Sequence, residues 1–237
     1  MVDNALLVID RTDGQLTISN AISGSGDVSD TGSGTLTLTG NNSFSGALNV
    51  NAGAVLQMGN SSALGTADGG TTIASGAALD VNGYNLGTEP VVVSGTGTDG
   101  GVNNGAIYNN GAAVFPALAN LTLAGDTTIG GNGRWDLRSP VTSDPTQASL
   151  STGGHDYNLT KVGPNQVGLV GVTVDPALGD IDVQGGILSI EAATTGLGDP
   201  TDTLTVEGTG SLQFYQMANP LNKKMALEDG STVISQS

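Results

Sequence analysis

Along residues 30–65 apolar and polar positions alternate with a period of two, in runs only three or four residues long. Leu36 and Leu38 alternate with Thr35, Thr37 and Thr39, Leu48 and Val50 alternate with Asn49 and Asn51, and a third run begins at Val55 or Leu56. Period-2 alternation sends every second side chain to the same face, so each run predicts a short strand with one buried face and one polar face. Gly, Asn and Ser fill the intervals, and these residues turn a chain tightly. Strands this short do not make a sheet alone, so the pattern predicts that they stack on copies of themselves.

The copies are present. Gly32, Leu36, Leu38 and Gly40 match Gly163, Val167, Leu169 and Gly171 at an offset of 131. After a two-residue insertion the offset is 133, pairing Gly46 with Gly179, Leu48 with Ile181, Val50 with Val183, Gly53 with Gly186, and Leu64-Gly65 with Leu197-Gly198. The phase continues through Ile73 with Val206 and Leu79 with Leu212. Leu56 falls opposite Ser189, which predicts a one-residue slip or a bulge in the third strand. A shorter period lies inside this one. A corner glycine followed by alternating apolar residues recurs at Gly53, Gly76, Gly163, Gly185, Gly208 and Gly230, with neighbouring gaps of 22 or 23 residues. That is the signature of a solenoid with rungs of about 22 residues, each rung holding two or three short parallel strands. At about 4.8 Å per rung, ten or so rungs predict a rod roughly 50 Å long. The fold class predicted is all-β: one right-handed parallel β-helix over residues 1–237.

The run 32–65 resembles the autotransporter-associated β-strand repeat of bacterial passenger domains. The matching features are the Gly-x-Gly-x-Leu-x-Leu-x-Gly strand at Gly32 to Gly40, Phe44 in an Asn-rich corner, the strand Gly46 to Val50, the corner at Gly53, and Leu64-Gly65. The second copy, 163–198, departs from it, with Pro164 and Asn165 in place of part of the Gly-rich opening and no aromatic between Val174 and Leu178. The resemblance implies a structural stalk of an exported passenger, displayed on or released from a Gram-negative-type cell surface, with repeats that assist export by stacking outside the cell. On that reading the chain is a piece of a longer exported protein, with Met1 an added start and the signal sequence and anchor outside it.

Elsewhere the pattern is uneven. Residues 5–24 predict two strands around the Asp13-Gly14 turn. Residues 88–118 are looser, with rung strands at Val91–Val93 and Ala106–Tyr108 between Gly-Asn corners. The pattern resumes at 120–138 through Leu121, Leu123, Ile129, Trp135 and Leu137. Residues 139–156 carry two prolines and few apolar residues, and predict a loop projecting from the rod, where binding groups tend to sit.

Composition narrows the functional classes. The net charge is −16 and the six basic residues form no stripe, so neither nucleic acid nor insertion into a membrane is expected. There is no cysteine, which removes disulfides and thiolate metal sites. No cofactor, metal or catalytic residue is expected. The lone His155 stands beside Asp156 and near Ser149 and Ser151, but no strained nucleophile turn accompanies it. Gly130 to Asp136 is a faint likeness to a calcium-binding β-roll repeat with its Asp one place late, and reads as a rung corner. Tyr108, Phe115, Trp135 and His155 form the candidate ligand patch in the irregular middle of the chain. They support a second reading, an adhesin-type module that binds glycan or a host or cell-surface protein through its loops. A polysaccharide-cleaving β-helix is the third. Open solenoid ends predict self-association.

Overall fold

The computed structural model describes residues 1–141, 144 and 147–237. Among the described residues every strand pairing is parallel and there is no helix, and the strands stack as a solenoid of three faces. The first face starts with Leu6–Ile9, Asp27–Asp30, Leu48–Val50 and Thr71–Ile73. The second carries ten stacked strands among the described residues, from Gln15–Ile18 and Thr35–Leu38 to Thr203–Val206 and Lys224–Leu227. The third holds Ser23–Gly24 and Ser43–Phe44 near the start. It reappears as a six-strand stack running from Val114–Leu118 to Thr232–Gln236. One long strand, Asn120–Gly131, bends from the first face to the second and joins them into one sheet.

The alternation works as read. Leu36 and Leu38 stack in register on Leu56 and Met58, and all four are at most 2% exposed. Leu48 and Val50, and later Ile181 and Val183, do the same on their faces. The inward columns fuse into one continuous apolar core.

The third-strand slip is also real. In the first copy Leu56 and Met58 point inward; in the second Leu188 and Ile190 do, one residue earlier than the glycine-based match places them. The two copies do not occupy the same faces, however. Register followed from Leu36 through Leu56, Leu79, Ile107 and Ile129 arrives at Lys161, not at Val167. Val167 belongs to the third face. The second copy is therefore turned by one face, because the intervening rungs are longer than the rest.

Register spacing shows where the extra residues lie. Neighbouring second-face strands are offset by 20 residues at Leu36–Leu56, by 28 at Leu79–Ile107 and by 32 at Ile129–Lys161. The first excess is the corner 96–105. The second falls within 139–158. In the stretch 139–156, read above as a projecting loop, Ala148–Ser151 is a first-face strand, since Ala148 and Leu150 alternate inward. Thr142, Ser143, Pro145 and Thr146 of that stretch lie outside the described residues. The strand Lys224–Leu227 likewise follows the alternation of Met225 and Leu227 rather than a helical turn.

Corners are held by side-chain amides and carboxylates that bond across rungs. Asn42 accepts from the Ile22 N–H at 2.9 Å and donates to the Ala63 carbonyl at 2.6 Å, which ties three rungs together. Asn51 donates to the Asp30 carbonyl at 2.9 Å. A longer ladder runs beside the second face. Asp126 accepts from the Asn158 N–H, Asn158 from the Asp180 N–H, and Asp180 from the Thr203 N–H, at 2.9, 2.8 and 2.8 Å. Each bond satisfies a backbone donor at a corner where the sheet ladder is interrupted.

Truncating Leu56, which is fully buried, to Ala should lower unfolding free energy by about 2–5 kcal/mol, because a solenoid core between fixed rungs collapses poorly around a cavity. Thr39→Ala, at an exposed position, should stay within about 0.5 kcal/mol of the parent. Urea titration followed by circular dichroism measures both; equal effects would mean that the columns do not carry the stability.

Candidate functional site

The four residues of the expected ligand patch are not brought together. Trp135 follows the rung corner and points inward, fully buried, with its indole N–H donating to the Gly130 carbonyl at 3.0 Å. Tyr108 points outward but is only 7% exposed. Burial raises its phenol pKa, and the charges of Asp80 and Asp99 raise it further. Neither ring is free to stack on a ligand. Phe115 is 55% exposed, and its ring lies 5.2 Å from the Arg134 guanidinium carbon. His155 is exposed and stacks on Tyr157, with centroids 5.2 Å apart. The serines near it have other partners. Ser151 donates to Asp175 and Ser149 to Asn120, both at 3.3 Å.

Arg134 shows why this corner attracts notice in sequence. It makes two bonds to Asp136, at 3.0 and 3.1 Å, and reaches Glu191 at 3.3 Å across the strand that contains Gly168. A Cβ at Gly168 would stand 2.5 Å from an Asp136 oxygen, so only glycine leaves this path open. Ser189 completes the cluster by donating to Glu191 at 2.7 Å. The side chain of Asp136 is fully buried, and pairing with a bidentate guanidinium is what makes that burial tolerable. The arrangement is a clamp over the third face.

Four of the other positive charges are similarly occupied. Lys161 ends a strand in the inward column and is fully buried. Its ammonium donates to the carbonyls of Val162, Gly163 and Gly185 at 2.7, 3.1 and 3.1 Å, and burial pushes its pKa down to about 7. Lys223 donates to the carbonyls of Leu178 and Asp199. Lys224 donates to the Thr201 carbonyl, and Arg11 pairs with Asp13. These cations are used on corner carbonyls and local carboxylates rather than arrayed for phosphates.

Two surface depressions stand out among the described residues. One, of about 460 Å³, lies between the corner 96–105 and the turns that contain Val162, Gly163 and Gly185. The other, of about 310 Å³, lies on the outer second face, where Thr160, Asp182 and Thr205 stack in register beside Asp180 and Glu207. Burial and the charge of Asp182 raise the pKa of Glu207. Among the described residues no group of His, Cys, Asp and Glu has the geometry to hold a metal ion, and no helix is long and apolar enough to cross a membrane.

The first depression was invisible in sequence, because it needs a corner from one rung and glycines from later rungs. Its signal, available only in hindsight, is the 28-residue rung. The inserted corner is rigid. Asp99 accepts from the N–H groups of Gly101, Asn103, Asn104 and Gly105, at 3.0, 3.1, 2.9 and 3.4 Å. Burial disfavours the Asp99 charge, yet the four donors outweigh it and hold the carboxyl below its ordinary value.

Two inward carboxyl groups lie outside any site. Asp30 stacks between Ile9 and Val50 and is 2% exposed; one oxygen accepts from the Gly32 N–H at 3.3 Å and the other has no partner. Burial raises its pKa to about 6 against that N–H bond. Glu89 is 4% exposed and accepts from the Thr71 hydroxyl at 2.8 Å; burial raises it to about 7.

Comparison with known proteins agrees with the repeat. Residues 29–58 match the family model Passenger-associated-transport-repeat. Over 192 residues the chain is 32% identical to the Adhesin BmaC autotransporter of Brucella suis biovar 1 (strain 1330); the alignment covers 80% of this chain and 5% of that protein. The chain thus spans a small part of the relative's length. No solved structure matches it.

The inward carboxyls make stability depend on pH. Both folded-state values exceed the unfolded ones, about 3.9 for Asp and 4.3 for Glu. Their contribution is therefore fully present below about pH 4 and is lost as pH rises through about 6 and 7. Melting temperatures of Asp30→Asn/Glu89→Gln and of the parent, measured from pH 4 to 8, should diverge in the variant's favour as pH increases. A difference that stays constant over that range would show that the two groups titrate normally.

Proposed function

We infer that this chain, which carries an autotransporter passenger repeat on a parallel β-solenoid, is a stalk segment of an exported surface protein, and that its repeats assist secretion and display. The observation that carries this reading is the unbroken parallel stacking through the repeat itself. Strand 35–38 rests on 15–18 and receives 55–58, all in register. A rung that has folded presents a sheet edge and a row of apolar side chains to the next one. Chain emerging from a membrane can add to that template with no nucleotide consumed, and each added rung opposes backward movement. The matched family's description names passenger-associated transport, and the extracellular or cell-surface setting of a Gram-negative-type bacterium follows from the same likeness.

Disrupting the template tests the secretion role. In the full exported protein, Leu36→Asp/Leu48→Asp should lower the amount of passenger accessible to added protease on intact cells several-fold, with total synthesis unchanged. Undiminished display would reject that role.

Taken by itself, the 237-residue chain can self-associate through its last rung, a face that a following rung covers in a longer passenger. Met225, Leu227 and Val233 occupy inward positions stacked on Leu204, Val206 and Leu212, yet are 41%, 54% and 40% exposed. A second copy can cover this face by adding strands in parallel. Sedimentation velocity should show concentration-dependent head-to-tail oligomers that Leu227→Glu abolishes; a monomer at every concentration would exclude them.

A second reading, a binding module of the adhesin type, is favoured by the pre-formed depression at 96–105 and by the adhesin named among the similar proteins. A polysaccharide-cleaving role has less support. The two largest aromatics of the middle segment are buried, and the outer carboxylates of the second face have no aromatic platform beside them in the depression they line.

A further inference from the structure

We propose that the depression beside the corner 96–105 is a binding site for an uncharged, hydroxyl-rich ligand: a short stretch of neutral glycan. This inference rests on the adhesin reading and gives it a location and a ligand class.

The wall is built rather than incidental. The corner adds residues that the solenoid does not need, since neighbouring rungs turn in fewer. The Asp99 carboxylate gathers the corner, and the Asn103 carbonyl fastens it to the rod by accepting from the Gly131 N–H at 2.9 Å. A Cβ at Gly163 would stand 2.3 Å from that Asn103 oxygen, and the residue has φ +74°, so glycine is required twice over for the corner to seat there. Gly185 and Gly186 keep the floor of the next rung low. The Lys161 ammonium lies beneath and holds the carbonyls of both Gly163 and Gly185 in place. A site preorganised in this way loses little ordering entropy when occupied.

The lining selects the chemistry. No charged side chain borders the depression, although the chain carries a net charge of −16. The buried Lys161 has its donors already engaged and offers nothing to an anion. No carboxylate lines the space for an ammonium ligand, and Asp182 behind Gln184 is already held by the Gln184 amide at 2.8 Å. What faces the space is neutral: the amides of Asn103 and Gln184, the hydroxyl of Thr209, and the apolar surfaces of Val102 and Pro164. Gln184 donates one N–H to Asp182 at 2.8 Å and Thr209 donates to the Gln184 carbonyl at 2.7 Å, which leaves the Gln184 amide oxygen and the Thr209 oxygen as acceptors for a ligand. Amides and hydroxyls suit a ligand that both donates and accepts hydrogen bonds, and the apolar patches suit the C–H faces of a sugar ring. The volume of about 460 Å³ falls within the roughly 300–1,000 Å³ of small-ligand sites.

The test is a titration of the whole ¹⁵N-labelled chain, read by amide chemical shifts. The neutral probes are maltotriose, cellotriose and lacto-N-tetraose; the charged ones are sialyllactose and a glucosamine trimer. A neutral probe should shift the amides of Gly163, Gly185 and Gly186 saturably. Asn103→Ala/Gln184→Ala should weaken that binding about tenfold, and Thr209→Trp, which fills the space, should abolish it. All three positions are exposed, so circular dichroism of both variants should match the parent. Shifts that map elsewhere and survive both variants would overturn this site while leaving the adhesin reading intact. Preferential binding of a charged probe at these amides would overturn the ligand class. Absence of any shift with every neutral probe would overturn the proposal as a whole, and would leave the stalk reading untouched.

Discussion

In-register parallel hydrogen bonding between neighbouring rungs is the constraint on which the rest of the molecule depends. A three-residue strand such as Leu48–Val50 has no stability of its own; it exists because Val28–Asp30 lies on one side and Thr71–Ile73 on the other. Register then does two jobs. It satisfies the backbone polar groups of each strand, and it places inward side chains in columns, so that the core is continuous although no single rung encloses one. Any residue added to a rung must leave through a corner, because a slip of one position within a strand would turn its apolar set outward.

The corners are therefore where variation accumulates, and where the chemistry is. Asx side chains carry backbone donors across the gaps between strands, from Asp126 through Asn158 and Asp180 to Thr203. Lysines cap the carbonyls that the turns leave behind, and Lys161 does so from inside the core. Arg134 spans from Asp136 to Glu191 over a glycine. These devices explain why a chain with few basic residues spends them locally. They also leave the excess of negative charge in a chain of net charge −16 unpaired by lysine or arginine.

Two inward carboxyls run against the economy of such a core. Asp30 sits in a column between Ile9 and Val50, Glu89 is buried just ahead of the strand Pro90–Gly95, and each has a single hydrogen-bond donor. Both lie in the N-terminal half, whereas the buried ammoniums of Lys161 and Lys223 lie in the C-terminal half. Burial raises the pKa values of these carboxyls and lowers those of these ammoniums, so the two pairs of groups contribute to the pH dependence of stability with opposite sign.

The rung period, the parallel stacking, the inward residues of 30–65, the slip of the third strand and the likeness to passenger repeats were all legible in the sequence, because each depends on residues a few positions apart or on a repeated phase. The burial of Trp135 and Tyr108 was not legible: both lie on strands, but whether an aromatic ring there packs or stays open to a ligand depends on the neighbouring rungs. The turning of the second copy by one face escaped for a related reason. The self-match aligns strands by pattern, but which face a strand occupies depends on the summed lengths of all the rungs between. Lys161 stands where the column from Leu36 leads, and a pattern search passes over a lysine. The depression beside 96–105 was decided by tertiary structure alone, since it joins a corner of one rung to glycines that follow two and three rungs later, in contact only once the rungs are stacked.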